Sequence, residues 1–298
     1  SQIHGLMHRC VERGLARRKR TESNLPLKHL SLDEKSFRKG HRYITVLGDS
    51  EGSRVLDVAE DRTLPAAKGL LQSALNESQR EQVLSVSMDM WVAFKSAKDE
   101  ILPKAVHVHD RFHVAKYLNE AVDQTRRMEQ RSLSASNSES SPLHRTRYIW
   151  LSRPENLKPS RRAILNKLRE HDLLTANVWA FKEAFREFYN ARTVTEARTF
   201  FLNWMEFAQE LGVKHLTKVA LMLDDHLQGL LNYHLYHTTN AIAEGLNSQI
   251  QRIKANARGF RRFTNYRIAI LFFLGKLDMS PLKSPRATPI IRHTHING

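Results

Sequence analysis

Residues 29–110 change their hydrophobic period in a set order, and that order constrains the fold more than any other feature of the chain. Tyr43-Ile44-Thr45-Val46-Leu47 reads as a strand, Asp49-Ser50-Glu51-Gly52 as a turn, and Arg54-Val55-Leu56-Asp57-Val58 as the returning arm of a hairpin. The apolar stretch His29-Leu30-Ser31-Leu32-Asp33-Glu34 precedes them, so these three elements are expected to form an antiparallel meander. Leu64, Lys68, Leu71 and Leu75 then recur at helical spacing. Val83 to Asp89 reads as a strand, Trp91 to Ile101 as a helix and Ala105 to Asp110 as a short last strand.

Strand, strand, strand, helix, strand, helix, strand is the order of a ribonuclease-H-like α/β core, a mixed sheet of three antiparallel and two parallel strands. Two acidic residues stand where such a core would carry chemistry: Asp33 in the first strand and Asp89 at the end of the fourth. A third, Glu244, opens an amphipathic helix much later in the chain. Carboxylates gathered from distant segments suit two divalent cations, since hard cations take oxygen ligands and a pair of them can activate a nucleophile and stabilise a leaving oxygen. At 100° per residue Ile242, Leu246, Ile250 and Ile253 share one narrow sector. Glu244, Gln251 and Arg258 lie opposite at seven-residue spacing, with Asn247 and Lys254 nearby. Taken singly, a Glu in that position is ordinarily a solvated side chain; its company of Asn240, Asn247, Gln251, Arg252, Lys254 and Arg258 makes a basic, hydrogen-bonding face suited to phosphates. Gly259 reads as the stop signal of this helix, followed by Arg261 and Arg262.

Lys and Arg outnumber Asp and Glu by 47 to 31, a formal charge of +16. That charge favours a polyanionic partner through counterion release. Anionic membrane surfaces would attract the same charge, but no run approaches the ~20 apolar residues of a spanning helix, and no signal-peptide pattern opens the chain. Cys10 is the only cysteine, which excludes a disulfide framework or a Cys-rich zinc site built from this chain alone and makes a reducing cytoplasm the simplest compartment. Arg9, Arg13, Arg17, Arg18, Lys19 and Arg20 read as the basic end of a helix; a solvated face and a DNA-contacting face suit them equally. The stretch between Arg131 and Arg147 is serine-rich and reads as a flexible loop. From Glu155 to Tyr236 the pattern is helical, with Leu165, Leu168, Trp179, Phe181, Phe185, Phe188, Phe200, Phe201, Trp204 and Phe207 supplying core-facing bulk. The expected organisation is a basic helical linker over 1–27, the first part of the core over 28–130, and the loop with an all-α insertion over 131–236. The Glu-bearing and final helices of the core follow over 237–277, and a flexible tail over 278–298.

Ser31-Leu32-Asp33-Glu34-Lys35-Ser36-Phe37-Arg38-Lys39-Gly40-His41-Arg42-Tyr43, Met88-Asp89-Met90-Trp91, Leu102-Pro103-Lys104-Ala105, Asp110-Arg111-Phe112-His113-Val114-Ala115-Lys116 and Thr239-Asn240-Ala241-Ile242-Ala243-Glu244-Gly245-Leu246-Asn247 together resemble the DDE transposases of bacterial insertion sequences, of the ISL-three family. Each motif is short; their order and spacing are jointly specific. The resemblance implies that Asp33, Asp89 and Glu244 are the catalytic triad and the metal ligands, holding two Mg²⁺ ions for which Mn²⁺ substitutes. It implies that Asp110 and His113 form the Asp-x-x-His element found after the second aspartate, and it carries Asn247 as a supporting residue. Complete members carry an N-terminal zinc-binding segment and a helix-turn-helix, so the chain reads as N-terminally truncated. The implied partners are element ends and target DNA, with a homo-oligomer on DNA because two ends must be joined, in a bacterial cytoplasm at the nucleoid. Arg38, Lys39, Lys254, Arg258, Arg261 and Arg262 are the candidate phosphate contacts. Two other readings remain open at this point: a truncated or inactive derivative that only binds DNA, and a zinc-dependent hydrolase using His107, His109, Asp110 and His113. Strand alternation puts His107 and His109 on one face and Asp110 on the other, which disfavours a single zinc ion.

Overall fold

The computed structural model describes residues 2–38, 40, 42–136, 141–236 and 241–281. Strands β1 (His29–Arg38), β2 (Arg42–Asp49), β3 (Arg54–Glu60), β4 (Ser85–Met88) and β5 (Val106–His109) form one sheet in the order β3-β2-β1-β4-β5. The β1–β2 and β2–β3 pairs are antiparallel, and β1–β4 and β4–β5 are parallel. Tight turns suffice for the first two pairings. The parallel pairings need crossovers, supplied by α2 (Leu64–Ala74) with α3 (Glu77–Gln82) before β4, and by α4 (Val92–Ile101) before β5. This mixed sheet is the ribonuclease-H-like core that the element order predicts.

Side chains alternate across the sheet, and each face has its own cover. Leu30, Leu32, Val86 and Met88 pack with Leu71 and Phe94 beneath α2 and α4. Phe37, Ile44, Val46 and Val58 pack on the other face under α14 (Ala241–Asn256) and α15 (Phe263–Leu274), joined by Val11 of α1 (Gln2–Thr21). The basic N-terminal segment is therefore docked on the core. A Cβ on Gly14 would lie 2.7 Å from Leu277 Cβ, so glycine permits this close approach. Arg13 donates to the Met279 carbonyl at 2.7 Å and Arg17 pairs with Asp278 at 2.9 Å, which ties residues 278–279 to α1. The expected tail beyond them, residues 282–298, lies outside the described residues.

A helical layer follows β5: α5 (Arg111–Ser136), α6 (Arg147–Leu151), α7 (Pro159–Arg169), α8 (Leu174–Ala184), α9 (Arg186–Asn190), α10 (Val194–Glu210), α11 (Lys214–Asp225), α12 (Leu227–Leu231) and α13 (Tyr233–Tyr236). Its core contains Trp150, Trp179, Phe185, Phe188, Phe201 and Trp204, and α5 contributes Val114, Leu118 and Val122 to the same cluster. Two expectations need correction. The serine-rich stretch does not break helix at Arg131: α5 continues to Ser136, since no Gly or Pro interrupts it there and an established helix extends at little cost through ordinary polar residues. Phe207 is 58% exposed and points out of the core it was expected to fill. No helix among the described residues is long and apolar enough to cross a membrane.

Candidate active site

The sheet register brings two of the three acidic residues side by side. Leu32 pairs with Met88 across β1 and β4, so the next step along both parallel strands sets Asp33 beside Asp89. Both have the parity opposite to Leu32 and Met88 and so face α14, away from α2 and α4. One oxygen of each carboxylate is fixed by the backbone that follows it: Glu34 N–H donates to Asp33 Oδ1 at 2.7 Å, and Met90 N–H to Asp89 Oδ1 at 2.6 Å. The second oxygens meet polar or cationic groups. Asp33 Oδ2 receives the Asn247 amide at 2.5 Å and pairs with Lys35 Nζ at 2.9 Å; Asp89 Oδ2 lies 3.6 Å from His113 Nε2.

His113 is in turn held from behind, with Nδ1 3.3 Å from Asp110 Oδ2. Burial opposes its protonation, but the hydrogen bond to Asp110 and the charges of Asp89, Asp110 and Asp33 outweigh it and raise the His113 pKa. Asp110 also accepts from Phe112 N–H at 2.8 Å, fixing the start of α5. The Asp110 to His113 spacing thus aligns an imidazole on Asp89.

Glu244 comes from α14. Of the apolar stripe read from the helical angles, Leu246 and Ile250 are buried in the cluster over the sheet and Ile242 and Ile253 are partly buried against it, and Glu244 is exposed one turn before Asn247. The Asn247–Asp33 bond holds α14 to β1 one turn from Glu244, but Glu244 itself is exposed, and among the described residues Asp33, Asp89 and Glu244 are not gathered into one metal-holding group. Lys254, two further turns along, donates to the Ser36 carbonyl at 2.7 Å and ties the same side to β1. The helix ends in a Schellman motif, Arg258 N–H to the Ala255 carbonyl and Gly259 N–H to the Lys254 carbonyl, each 2.9 Å. The left-handed closing residue is Arg258, at φ 52°, one position before the glycine expected to do that job; Gly259 follows at φ 93°.

The other sequence candidates divide. Arg38 donates to the carbonyls of Phe260 (3.1 Å) and Arg261, so it buttresses the turn after α14. Arg258, Arg261 and Arg262 are exposed. Lys39 and Asn240 lie outside the described residues. The four candidate zinc ligands separate: His113 and Asp110 turn to Asp89, whereas His107 packs on His109 (5.1 Å between ring centres) and His109 on His226 (5.0 Å), against Gly229 of α12. Among the described residues no group of three or more His, Cys, Asp or Glu side chains is placed to hold a metal ion.

Three site residues escaped the sequence reading. Lys35 was legible, since a residue two positions from Asp33 on a strand shares its face. Tyr117, one turn after His113, has its pKa raised by burial and by Asp89, Glu120 and Glu34. Arg62 Nη1 donates to both carboxylate oxygens of Glu34 at 2.9 Å, and its guanidinium lies over the rings of Tyr43 (4.1 Å) and Trp91 (4.8 Å), bracing residues within two positions of both aspartates; nothing local in the sequence marks it.

The oxygen donors of Asp33 and Asp89 fit a hard divalent cation, and the Lys35 ammonium on Asp33 Oδ2 shows that this carboxylate already accommodates a positive charge at contact distance. Residues 30–270 match the model of a transposase family, that of the ISL-three DDE enzymes. The chain is similar to the transposase for insertion sequence element IS1001 of Bordetella parapertussis, 27% identical over 236 residues, which cover 79% of this chain and 58% of that protein. It is also similar to the transposase for insertion sequence element IS1557 of Mycobacterium tuberculosis, 25% identical over 269 residues, covering 82% of this chain and 59% of that protein. It thus spans less than two thirds of the length of these relatives. The family match takes in most of the sequence, both aspartates and the helix bearing Glu244: the chain belongs to the ISL-three family of DDE transposases.

Proposed function

We propose that this chain carries the catalytic core for metal-dependent DNA cleavage and strand transfer of an insertion sequence. The observation that carries the reading is the pairing of Asp33 and Asp89 on adjacent parallel strands, with α14 bonded to Asp33 through Asn247. Asp33, Asp89 and Glu244 would hold Mg²⁺, two ions in all, with Mn²⁺ as substitute. When bound, such ions lower the cost of forming an oxygen nucleophile and of releasing the leaving oxygen in an in-line displacement at phosphorus.

The protein's own residues supply position and charge. His113 aligns Asp89, and Asp110 aligns His113. Asn247 couples Asp33 to the helix that presents Glu244. Lys254, Arg258, Arg261 and Arg262 hold the phosphodiester backbone of element end and target along the α14 side of the site, with Arg38 keeping their turn against β1. The proposed division is a basic helical linker over 1–27, a core split over 28–130 and 237–277, a loop with a helical insertion over 131–236, and a tail over 278–298. The partners are DNA and further copies of the chain on it, at the bacterial nucleoid in the cytoplasm.

Cleavage of a duplex carrying an element end tests this. Asp33→Asn and Asp89→Asn keep shape and remove charge, so end nicking in Mg²⁺ should fall by orders of magnitude while retention of the same duplex changes little. Near-normal nicking by either variant would reject the assignment. A derivative that only binds DNA would retain the duplex and leave it uncut in the unaltered protein.

A further inference from the structure

The carboxylate of Asp123, on α5, is only 5% exposed and draws in three arginines. Arg126 Nη2 reaches Oδ1 at 2.8 Å, Arg127 Nη2 reaches Oδ2 at 2.7 Å, and Arg147 Nε, from α6, reaches Oδ2 at 3.3 Å. Among the described residues, three guanidiniums share this one carboxylate. Arg126 is buried and further braced by Gln130 at 2.8 Å, but the Arg127 and Arg147 side chains are 55% and 47% exposed. The backbone beneath Arg147 is fixed as well: Thr146 Oγ1 donates to the Leu143 carbonyl at 2.7 Å and accepts from Trp150 Nε1 at 3.2 Å. Arg147 lies 5.6 Å from the ring of Tyr148, which is itself 65% exposed.

A buried acid that serves stability alone needs one partner; this one orients two half-exposed planar forks and leaves their remaining N–H groups facing water. Rigid guanidinium forks beside an exposed aromatic ring match the oxygens of a phosphodiester and the flat surface of a sugar or base. We propose that the Asp123-centred arginine cluster is a second contact surface for duplex DNA, separate from the α14 face. It rests on the reading of the chain as a DNA-processing core. Asp123 lies thirteen positions after Asp110, which immediately precedes α5, about 20 Å at 1.5 Å per residue. That spacing is roughly six base pairs of duplex.

The test measures binding of a labelled duplex several turns long as a function of salt, using the full chain. Arg127→Gln with Arg147→Gln removes two exposed charges without touching the core. It should weaken binding roughly tenfold and lower the slope of log K against log salt by about two, since each phosphate contact contributes about 0.9. Equal charge loss at Arg192 and Arg198, exposed on and beside α10, should leave the slope unchanged. Asp123→Asn adds net positive charge yet should also weaken binding, because the forks lose their alignment; its folding is checked by thermal unfolding. An unchanged slope in the double arginine variant, or tighter binding by a folded Asp123→Asn protein, overturns the proposal while leaving the catalytic reading intact. Failure of the unaltered chain to bind duplex at all overturns both.

Discussion

Asn247 gives the site its link between sheet and helix, because its amide is the contact through which α14 meets Asp33. A hydrogen bond to a charged acceptor contributes about 1.5–3 kcal/mol. Asn247→Ala is therefore expected to lower stability by up to that amount in chemical denaturation, and stability equal to the parent would show that the bond contributes nothing. Gly229 poses the opposite constraint. A Cβ there would fall 2.4 Å from His109 Cδ2 and 2.7 Å from His107 Cδ2, and His109 is too deeply buried to swing aside. Gly229→Ala should cost about 1–3 kcal/mol by overpacking, read as a drop in denaturation midpoint. The two aspartates and Lys35 were legible in the sequence because period-two alternation is local. Arg62, Tyr117 and His226 were not, since their partners lie on other elements and only the folded sheet brings them near.

Helix α8 begins on a buried carboxylate from α5: Glu129 accepts from Leu174 N–H (2.7 Å), Thr175 N–H (2.8 Å) and Thr175 Oγ1 (2.6 Å). An acid at a helix N-terminus satisfies donors that have no partner within the helix and complements the dipole. Glu129→Ala strands these donors in a buried setting and should cost about 2–3 kcal/mol, measured by thermal or urea unfolding. The contact between β5 and α12 carries a pH dependence of definite sign. Burial lowers the pKa of His107 to about 4 and of His109 to about 3, and lowers that of His226; Lys95 pushes the same way on all three, Lys98 and His226 on His107, and His107 and His226 on His109, against Asp99 beside His107, a backbone hydrogen bond at Met88 on His109, and Asp225 and Asp89 beside His226. The folded state therefore holds these rings neutral, whereas the unfolded chain protonates them near pH 6.5. Their contribution to stability is fully present above about pH 6.5 and is lost progressively as pH falls towards 3. His109→Phe should flatten that acid limb, and an unaltered limb would show that other groups set it. At this scale the helices of residues 155–236 were legible as helical, but the break between α8 and α9 at Phe185 was not, because it follows from ring packing among Phe185, Phe188 and Trp204.

For the molecule as a whole, the positive charge that composition announces is spread over α1, the end of α14 and the helical layer, and only part of it is bound in ion pairs. Charge reversal at Arg258, Arg261 and Arg262 together should weaken duplex binding and flatten its salt dependence, and binding insensitive to both salt and reversal would mark that face as merely solvated. The sheet order was legible because short turns dictate antiparallel neighbours and helical crossovers dictate parallel ones. The seating of α1 against α15 was not, since its basic composition speaks of solvent while the contact rests on Val11 and Gly14. Glu244 is the residue whose role depends most on the whole assembly, being exposed on a helix held to the sheet one turn away. The decisive measurement is strand transfer in Mg²⁺ by Glu244→Gln in the full-length protein, beside a filter assay for retained DNA. Three acting carboxylates predict a loss of orders of magnitude with retention unchanged; near-normal strand transfer would contradict the account.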